Sequence, residues 1–181
     1  YSPSVAIVLN IDAEHLDFYR NLTDIKKSFV KFLSNIREGG LLVLNKDDAN
    51  IYSLKKTIEG IAKRKKADVI WYSRKMSIAR QIEKHISIPG DHNISNALAA
   101  YHAANDLGVP QKYIFATVKA YQGAWRRMEK RGAYRGMVVY DDYAHHPTEI
   151  RATLAGFKQK YPNKKILCVF QPHQQERLTK L

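Results

Sequence analysis

The chain has 181 residues, 45% of them hydrophobic, enough to bury a sizeable core as one domain or two small ones. One cysteine excludes a disulfide framework and a cysteine zinc site; no apolar run reaches the length of a membrane span and no signal peptide opens the chain, so a reducing cytoplasm is expected. A formal charge of +13 suits a nucleic-acid surface or a protein whose substrates carry phosphates, and with the lysines scattered over helix faces it decides nothing alone.

Strand and helix patterns alternate along the chain. Residues 5–10 read as a short apolar strand that ends in the polar loop Asn10-Ile11-Asp12-Ala13-Glu14-His15-Leu16-Asp17. Leu22, Ile25, Phe29, Phe32, Leu33 and Ile36 then fall on one helical face, and Gly39-Gly40 stops the helix. Residues 41–44 form a second strand. Asn45-Lys46-Asp47-Asp48 turns the chain into an amphipathic helix running to about Lys65, and residues 67–72 form a third strand. Residues 73–85 are polar and weakly periodic. An alanine-rich helix spans 91–107, and Pro110 opens another carrying Tyr113, Ile114, Val118 and Tyr121. The glycine- and arginine-rich segment 123–136 interrupts the alternation and marks a domain junction, dividing the chain into 1–122 and 123–181. Met137-Val138-Val139-Tyr140 reads as a buried strand. Pro147 opens a helix with Ile150, Leu154, Phe157 and Tyr161 at helical spacing. A strand over 165–170 would bury Cys168 as a reduced thiol, and a few polar residues of another helix follow. Alternation of this kind predicts an α/β fold with parts of two doubly wound, mainly parallel sheets. The last unit looks cut off at Leu181, so an incomplete chain is expected.

Four constellations could carry chemistry. Asp141-Asp142-Tyr143-Ala144-His145-His146-Pro147-Thr148-Glu149 places two carboxylates and two imidazoles where a strand hands over to a helix, the position at which open α/β sheets bind ligands. Its alternative is an Asp/His-rich turn that caps a helix. Asp12, Glu14, His15 and Asp17 suit a hard divalent ion such as Mg²⁺ or Mn²⁺ completed by substrate phosphates, or else form a solvated acidic loop. Gly90-Asp91-His92-Asn93-Ile94-Ser95-Asn96 opens the alanine-rich helix. Asn93 and Asn96 lie three residues apart, so both carboxamides can meet an adenine edge, or the segment is ordinary capping. Arg126-Arg127, beside Trp125, offers donor forks for phosphate or a surface salt-bridge pair.

Taken in order, the motifs resemble the Mur ligase family. The loop 10–17, Asn45-Lys46-Asp47-Asp48, the segment 90–98, Gly123 with Arg126-Arg127, the stretch 141–149 and Phe170-Gln171-Pro172-His173 follow the family's order across nearly the whole chain. The last two favour the branch that joins L-alanine to UDP-N-acetylmuramate; the ligase that recycles murein peptides is its nearest neighbour. The resemblance implies an ATP-binding central domain and a Rossmann-like carboxy-terminal domain. It also implies transfer of the γ-phosphoryl of ATP to a lactyl carboxylate, then attack of the amine on the acyl phosphate. By the same resemblance His15 binds Mg²⁺ or Mn²⁺, and His92, Asn93 and Asn96 hold the adenine of ATP. Arg126 and Arg127 face phosphates at the hinge, and Asp142 contacts the nucleotide. Tyr143, His145 and His146 lie near the muramyl carboxylate and the amine, with the base undecided between the histidines. The sequence departs from the family pattern in three ways: the glycine-rich Gly-Lys-Thr phosphate loop and the amino-terminal domain are absent, residues 73–88 are short, and Glu14 replaces an aspartate. Part of a ligase, inactive by itself, is therefore expected. A nucleotide-binding relic is the alternative, and a basic nucleic-acid-binding protein ranks last because it rests on charge alone.

Overall fold

A computed structural model describes residues 1–172. Its elements are β1 (Val5–Val8), α1 (Leu22–Ser34), β2 (Leu41–Asn45), α2 (Ala49–Tyr52), α3 (Lys55–Lys65), β3 (Asp68–Tyr72), α4 (Ser77–His85), α5 (Asp91–Asp106), α6 (Gln111–Ala120), β4 (Glu129–Tyr134), β5 (Met137–Asp141) and α7 (Pro147–Lys160). β1, β2 and β3 form a parallel sheet in that order, with Val5 opposite Leu41 and Leu41 opposite Asp68. Side chains alternate across β2. Leu42 and Leu44 enter a core with Ile25 and Leu33 of α1 and Ile58 and Ile61 of α3. Leu41 and Val43 enter a second core with Ile82 of α4, Leu98 of α5 and Ile114 of α6. Helices thus cover both faces, which is why the central strand is apolar throughout. The α/β class with a parallel sheet is the one the alternation predicts.

Several elements differ from expectation. The helix expected over 49–65 is two helices: Ser53 Oγ donates to the Asn50 carbonyl at 2.7 Å and its amide bonds back to Ala49 and Ile51, closing α2 before Lys55. Residues 77–85 form α4, whose buried Ala79 and Ile82 lie on one face opposite polar side chains; the polar composition of so short a segment, not a lack of helical periodicity, hid the helix. The segment 123–136 contains β4, which pairs antiparallel with β5 through a turn in which Arg135 and Gly136 both have positive φ, 47° and 78°. The second sheet is therefore an antiparallel hairpin among the described residues. Met137, Val138 and Val139 are exposed, not buried. Residues 165–170 form no strand and Cys168 is exposed. An apolar run is buried only where a neighbouring strand and a covering layer both meet it; β5 has β4 beside it but residues 137–139 stay uncovered, and residues 165–170 have no strand partner among the described residues. The polar helix expected after Phe170, with His173, lies outside the described residues.

The sheet should carry most of the stability. Leu44, on the central strand, has no solvent exposure. Leu44→Ala is expected to lower the unfolding free energy by about 2–5 kcal/mol, read from urea denaturation at constant m-value.

Candidate functional site

The carboxyl ends of β1, β2 and β3 meet the start of α5 on one side and the β5–α7 junction on the other. Asn45 brackets the first two strands: its amide donates to the Leu9 carbonyl at 2.9 Å and to Ser95 Oγ of α5 at 3.5 Å. Asp47 accepts from the Ser73 hydroxyl and the Arg74 amide, both at 2.7 Å, and so secures the end of β3. Asn50 donates to the Ile11 carbonyl at 2.7 Å, anchoring the loop after β1. The motif read as a turn into a helix is thus a clamp on three strand ends.

At the start of α5, Gly90 takes φ 104° and no side chain caps the helix, so its leading amides keep their capacity for an anion. A Cβ on Gly90 would lie 2.6 Å from Cε1 of His92, whose ring folds back over the glycine. Burial pushes the His92 pKa down, Asp142 and Asp91 pull it up, and Arg127 adds to the depression; the net shift is downward and the ring is neutral at neutral pH. Asn93 donates to the Pro89 carbonyl at 2.6 Å, while Asn96 is exposed one turn on. The two carboxamides are therefore differently committed.

The β5–α7 junction is densely bonded. Asp142 accepts from the Met128 and Ala144 amides, both at 2.8 Å, and from the Thr153 hydroxyl at 3.4 Å. Arg126 pairs with Asp141 at 3.2 Å, its guanidinium over the rings of Trp125 and Tyr143 at 5.7 and 5.0 Å. A hydrogen bond from Arg131, aided by Arg126, holds the Asp141 carboxyl below the usual range. Arg127 instead reaches Glu149 at 3.3 Å and lies in the field of His92. The adjacent arginines thus serve different faces. Burial raises the Glu149 pKa, but Arg127 and the His145 amide outweigh it and the carboxyl lies low.

The two histidines also divide. His146 is 6% exposed and is the N-cap of α7. Its Nδ1 accepts from the Thr148 amide at 3.2 Å, which leaves the proton on Nε2 to donate to the Ala13 carbonyl at 3.1 Å. Both ring nitrogens are engaged in structure. His145 Nδ1 faces the Tyr143 carbonyl at 3.1 Å, and its Nε2 lies 3.4 Å from Glu14.

Contacts between the first sheet's loops and α7 close the arrangement. Thr148 Oγ1 donates to Asp12 at 2.7 Å. Burial raises the Asp12 pKa, but the Thr148 hydroxyl, the Ala13 amide, His146 and Arg151 together bring it below the usual value. Asp91 behaves likewise: burial is outweighed by Arg74 and by Gln159 of α7, which donates at 3.0 Å. Gly156 of α7 sits against Gly90, where an added Cβ would come within 3.3 Å of the Gly90 Cα and of Met128 Cε. Among the described residues no three His, Cys, Asp or Glu side chains converge as a metal cage. Mg²⁺ needs less, one or two protein ligands with waters and phosphates completing an octahedron. The exposed His15, beside Asp12 and Glu14, fits that sparse kind of site.

Of the residues singled out in the sequence, His92, Asp142 and Arg127 come together. Tyr143 and His145 lie beside them at the junction, and Arg126 turns toward the hairpin. Thr148 and Glu149 were visible within their motif, whereas Arg74, Gln159 and Gly156 carried no signal of their own.

Residues 1–104 match the Mur ligase middle domain, and residues 126–181 match the Mur ligase glutamate ligase domain. The chain belongs to the Mur ligase family. The UDP-N-acetylmuramate–L-alanine ligase of Caldicellulosiruptor saccharolyticus is 39% identical over 198 residues, covering 100% of this chain and 43% of that protein. The chain therefore spans under half the length of that relative. Among solved structures, the UDP-N-acetylmuramate–alanine ligase of Thermotoga maritima shares its fold, with a TM-score of 0.66 at 24% identity over 95% of this chain and 42% of that one. The murein peptide ligase of Psychrobacter arcticus gives 0.60 at 25% identity over 96% and 38%. In this Mur ligase chain no helix among the described residues is long and apolar enough to cross a membrane.

Acid should weaken the assembly in two stages. The folded pKa of His92 lies below 6.5, so the unfolded chain binds its proton first and stability falls as pH drops below 6.5. Glu149, Asp12 and Asp91 have folded values below 4.5, 3.8 and 3.8, so their contribution is present above those values and is lost as pH falls through the lower folded ones. In thermal melts across this range, His92→Gln is expected to shrink the first stage, which it shares with His102, whose pKa burial also lowers, and to keep the second.

Proposed function

We propose that this chain is the nucleotide-binding and catalytic portion of an ATP-dependent ligase of peptidoglycan precursor synthesis, joining L-alanine to UDP-N-acetylmuramate in the cytoplasm. Residues 1–122 are the later part of its ATP-binding central domain, and 123–181 the hinge and start of its carboxy-terminal domain. The observation that carries this reading is the meeting of His92, Arg127 and Asp142, from three separate sequence motifs, at the carboxyl edge of a parallel sheet. The 39% identity to a protein of that name supports the choice of substrates.

A free carboxylate is a poor electrophile. The reaction first moves the γ-phosphoryl of ATP onto the lactyl carboxylate; the amine of L-alanine then displaces phosphate from the acyl phosphate, leaving an amide, ADP and phosphate. Phosphoryl transfer depends on positioning and charge neutralisation. Neutral His92, with Asn93 and Asn96, orients the adenine at the uncapped start of α5. Arg127 presents its fork to phosphate, and Glu149 holds it in place at 3.3 Å. Asp142 fixes the hinge backbone and faces the nucleotide. His15 would hold Mg²⁺ or Mn²⁺ with substrate phosphates, and that ion supplies charge neutralisation. Tyr143 and His145 border the carboxylate and amine. Of the two histidines, the base is assigned to His145, which borders the junction with its Nε2 against the Glu14 carboxylate, whereas His146 is buried as the cap of α7 and bonds Ala13.

The similarity to a murein peptide ligase keeps a recycling ligase as the second reading, with a peptide as the amine substrate. ADP release by the protein with its native flanking sequence separates them: activity with UDP-N-acetylmuramate and L-alanine supports the first, activity only with the peptide supports the second, and none with either overturns both. In that assay His145→Gln is expected to lower kcat by about 100-fold with little change in Tm. His146→Gln should lower stability by about 1 kcal/mol through the lost cap.

A further inference from the structure

Three contacts join segments more than 130 residues apart in sequence. Thr148 Oγ1 donates to Asp12 Oδ2 at 2.7 Å, His146 Nε2 donates to the Ala13 carbonyl at 3.1 Å, and His145 Nε2 lies 3.4 Å from Glu14 Oε1. Consecutive residues 12, 13 and 14 are thus each held by the first turn of α7 or one of the two residues before it. The next residue, His15, takes φ 54°, a left-handed conformation uncommon for a residue with a β-carbon. Its carbonyl accepts from the Phe18 and Tyr19 amides at 2.9 and 2.8 Å, so a tight turn fixes it on the downstream side. A strained residue persists where its surroundings over-determine it, and here α7 and the residues just before it add to the anchor that Asn50 makes on the Ile11 carbonyl.

We propose that Thr148 is a positioning residue for the metal site: its hydroxyl, with the His146 ring, latches the loop after β1 to α7 and thereby sets the conformation in which His15 is presented. The inference rests on the reading of His15 as the Mg²⁺ or Mn²⁺ ligand. Docking of the carboxy-terminal unit and metal affinity are then linked, and linkage runs both ways. A metal bound at His15 favours the latched arrangement as much as the latch favours the metal.

The test uses the protein with its native flanking sequence and a non-hydrolysable ATP analogue. Mn²⁺ affinity is read from the free-ion electron paramagnetic resonance signal, and amide exchange is followed over residues 13–19. Thr148→Val keeps the side-chain shape and removes the donor. It is expected to weaken Mn²⁺ binding roughly three- to tenfold and to speed exchange in the loop, the size of a typical net hydrogen bond open to solvent. Thr148→Ser, which keeps the hydroxyl, should restore both. Wild-type Mn²⁺ affinity in Thr148→Val, with or without a lowered Tm, overturns the latch if His15→Ala abolishes binding. Undiminished Mn²⁺ binding in His15→Ala overturns the metal reading of His15, and the latch falls with it.

Discussion

The carboxylate of Asp142 accepts amides from Met128, ahead of the β4–β5 hairpin, and from Ala144, just after it. It therefore closes a loop of chain that would otherwise leave the hairpin, the hinge arginines and α7 independently placed. Backbone amides bonded to a fixed carboxylate are stronger than neutral pairs, and removing the acceptor would leave partly buried donors unsatisfied. Through the Thr153 hydroxyl, 3.4 Å away, the same carboxylate also reaches α7, so hinge, hairpin and helix share one acceptor. The exposed ion pairs elsewhere, such as Lys27 with Asp24 or Lys66 with Glu38, contribute far less, because water and salt screen them.

Charge is unevenly distributed. The protein is strongly basic, with 30 lysines and arginines against 17 acidic residues, yet several carboxylates line the approach of α7 to the first sheet. Asp12, Asp91, Asp141 and Glu149 are each depressed by a named donor or cation, so each stays ionised and bound. Compensated carboxylates of this kind order the polypeptide while leaving the local field able to accept an anion. Neutral His92 and the uncapped start of α5 complete an environment suited to phosphate without a free lysine cluster.

Glycine marks the closest approach. Gly90 has a φ that other residues rarely adopt and lies under the His92 ring, and Gly156 brings α7 onto it with no room for a methyl group to spare. The two helices meet at these small residues, and the polar contacts of Gln159 with Asp91 and Thr148 with Asp12 flank them. Packing sets the distance and hydrogen bonds set the orientation.

Much of this was legible in the sequence. The period-two and period-3.6 patterns located β1, β2, β3, α1 and α5, because both faces of the first sheet are covered and the apolar pattern has one meaning there. Ordered motifs pointed to the family and to His92, Arg127, Asp142 and His145. What only tertiary structure decided is which polar groups meet. Nothing in the order of residues separates Arg126 from Arg127, or His145 from His146. The turn at Arg126, with φ 53°, sends one guanidinium to Asp141 and the other to Glu149. The N-cap geometry of α7 commits His146 to the backbone and leaves His145 outside the helix. The exposure of β5 and of Cys168 was likewise unreadable, since an apolar run states what a segment would bury and its neighbours in space decide whether it does. Local pattern is a property of the chain, whereas a hydrogen-bond partner 136 residues away, as Asp12 is for Thr148, exists only once the fold has brought it there.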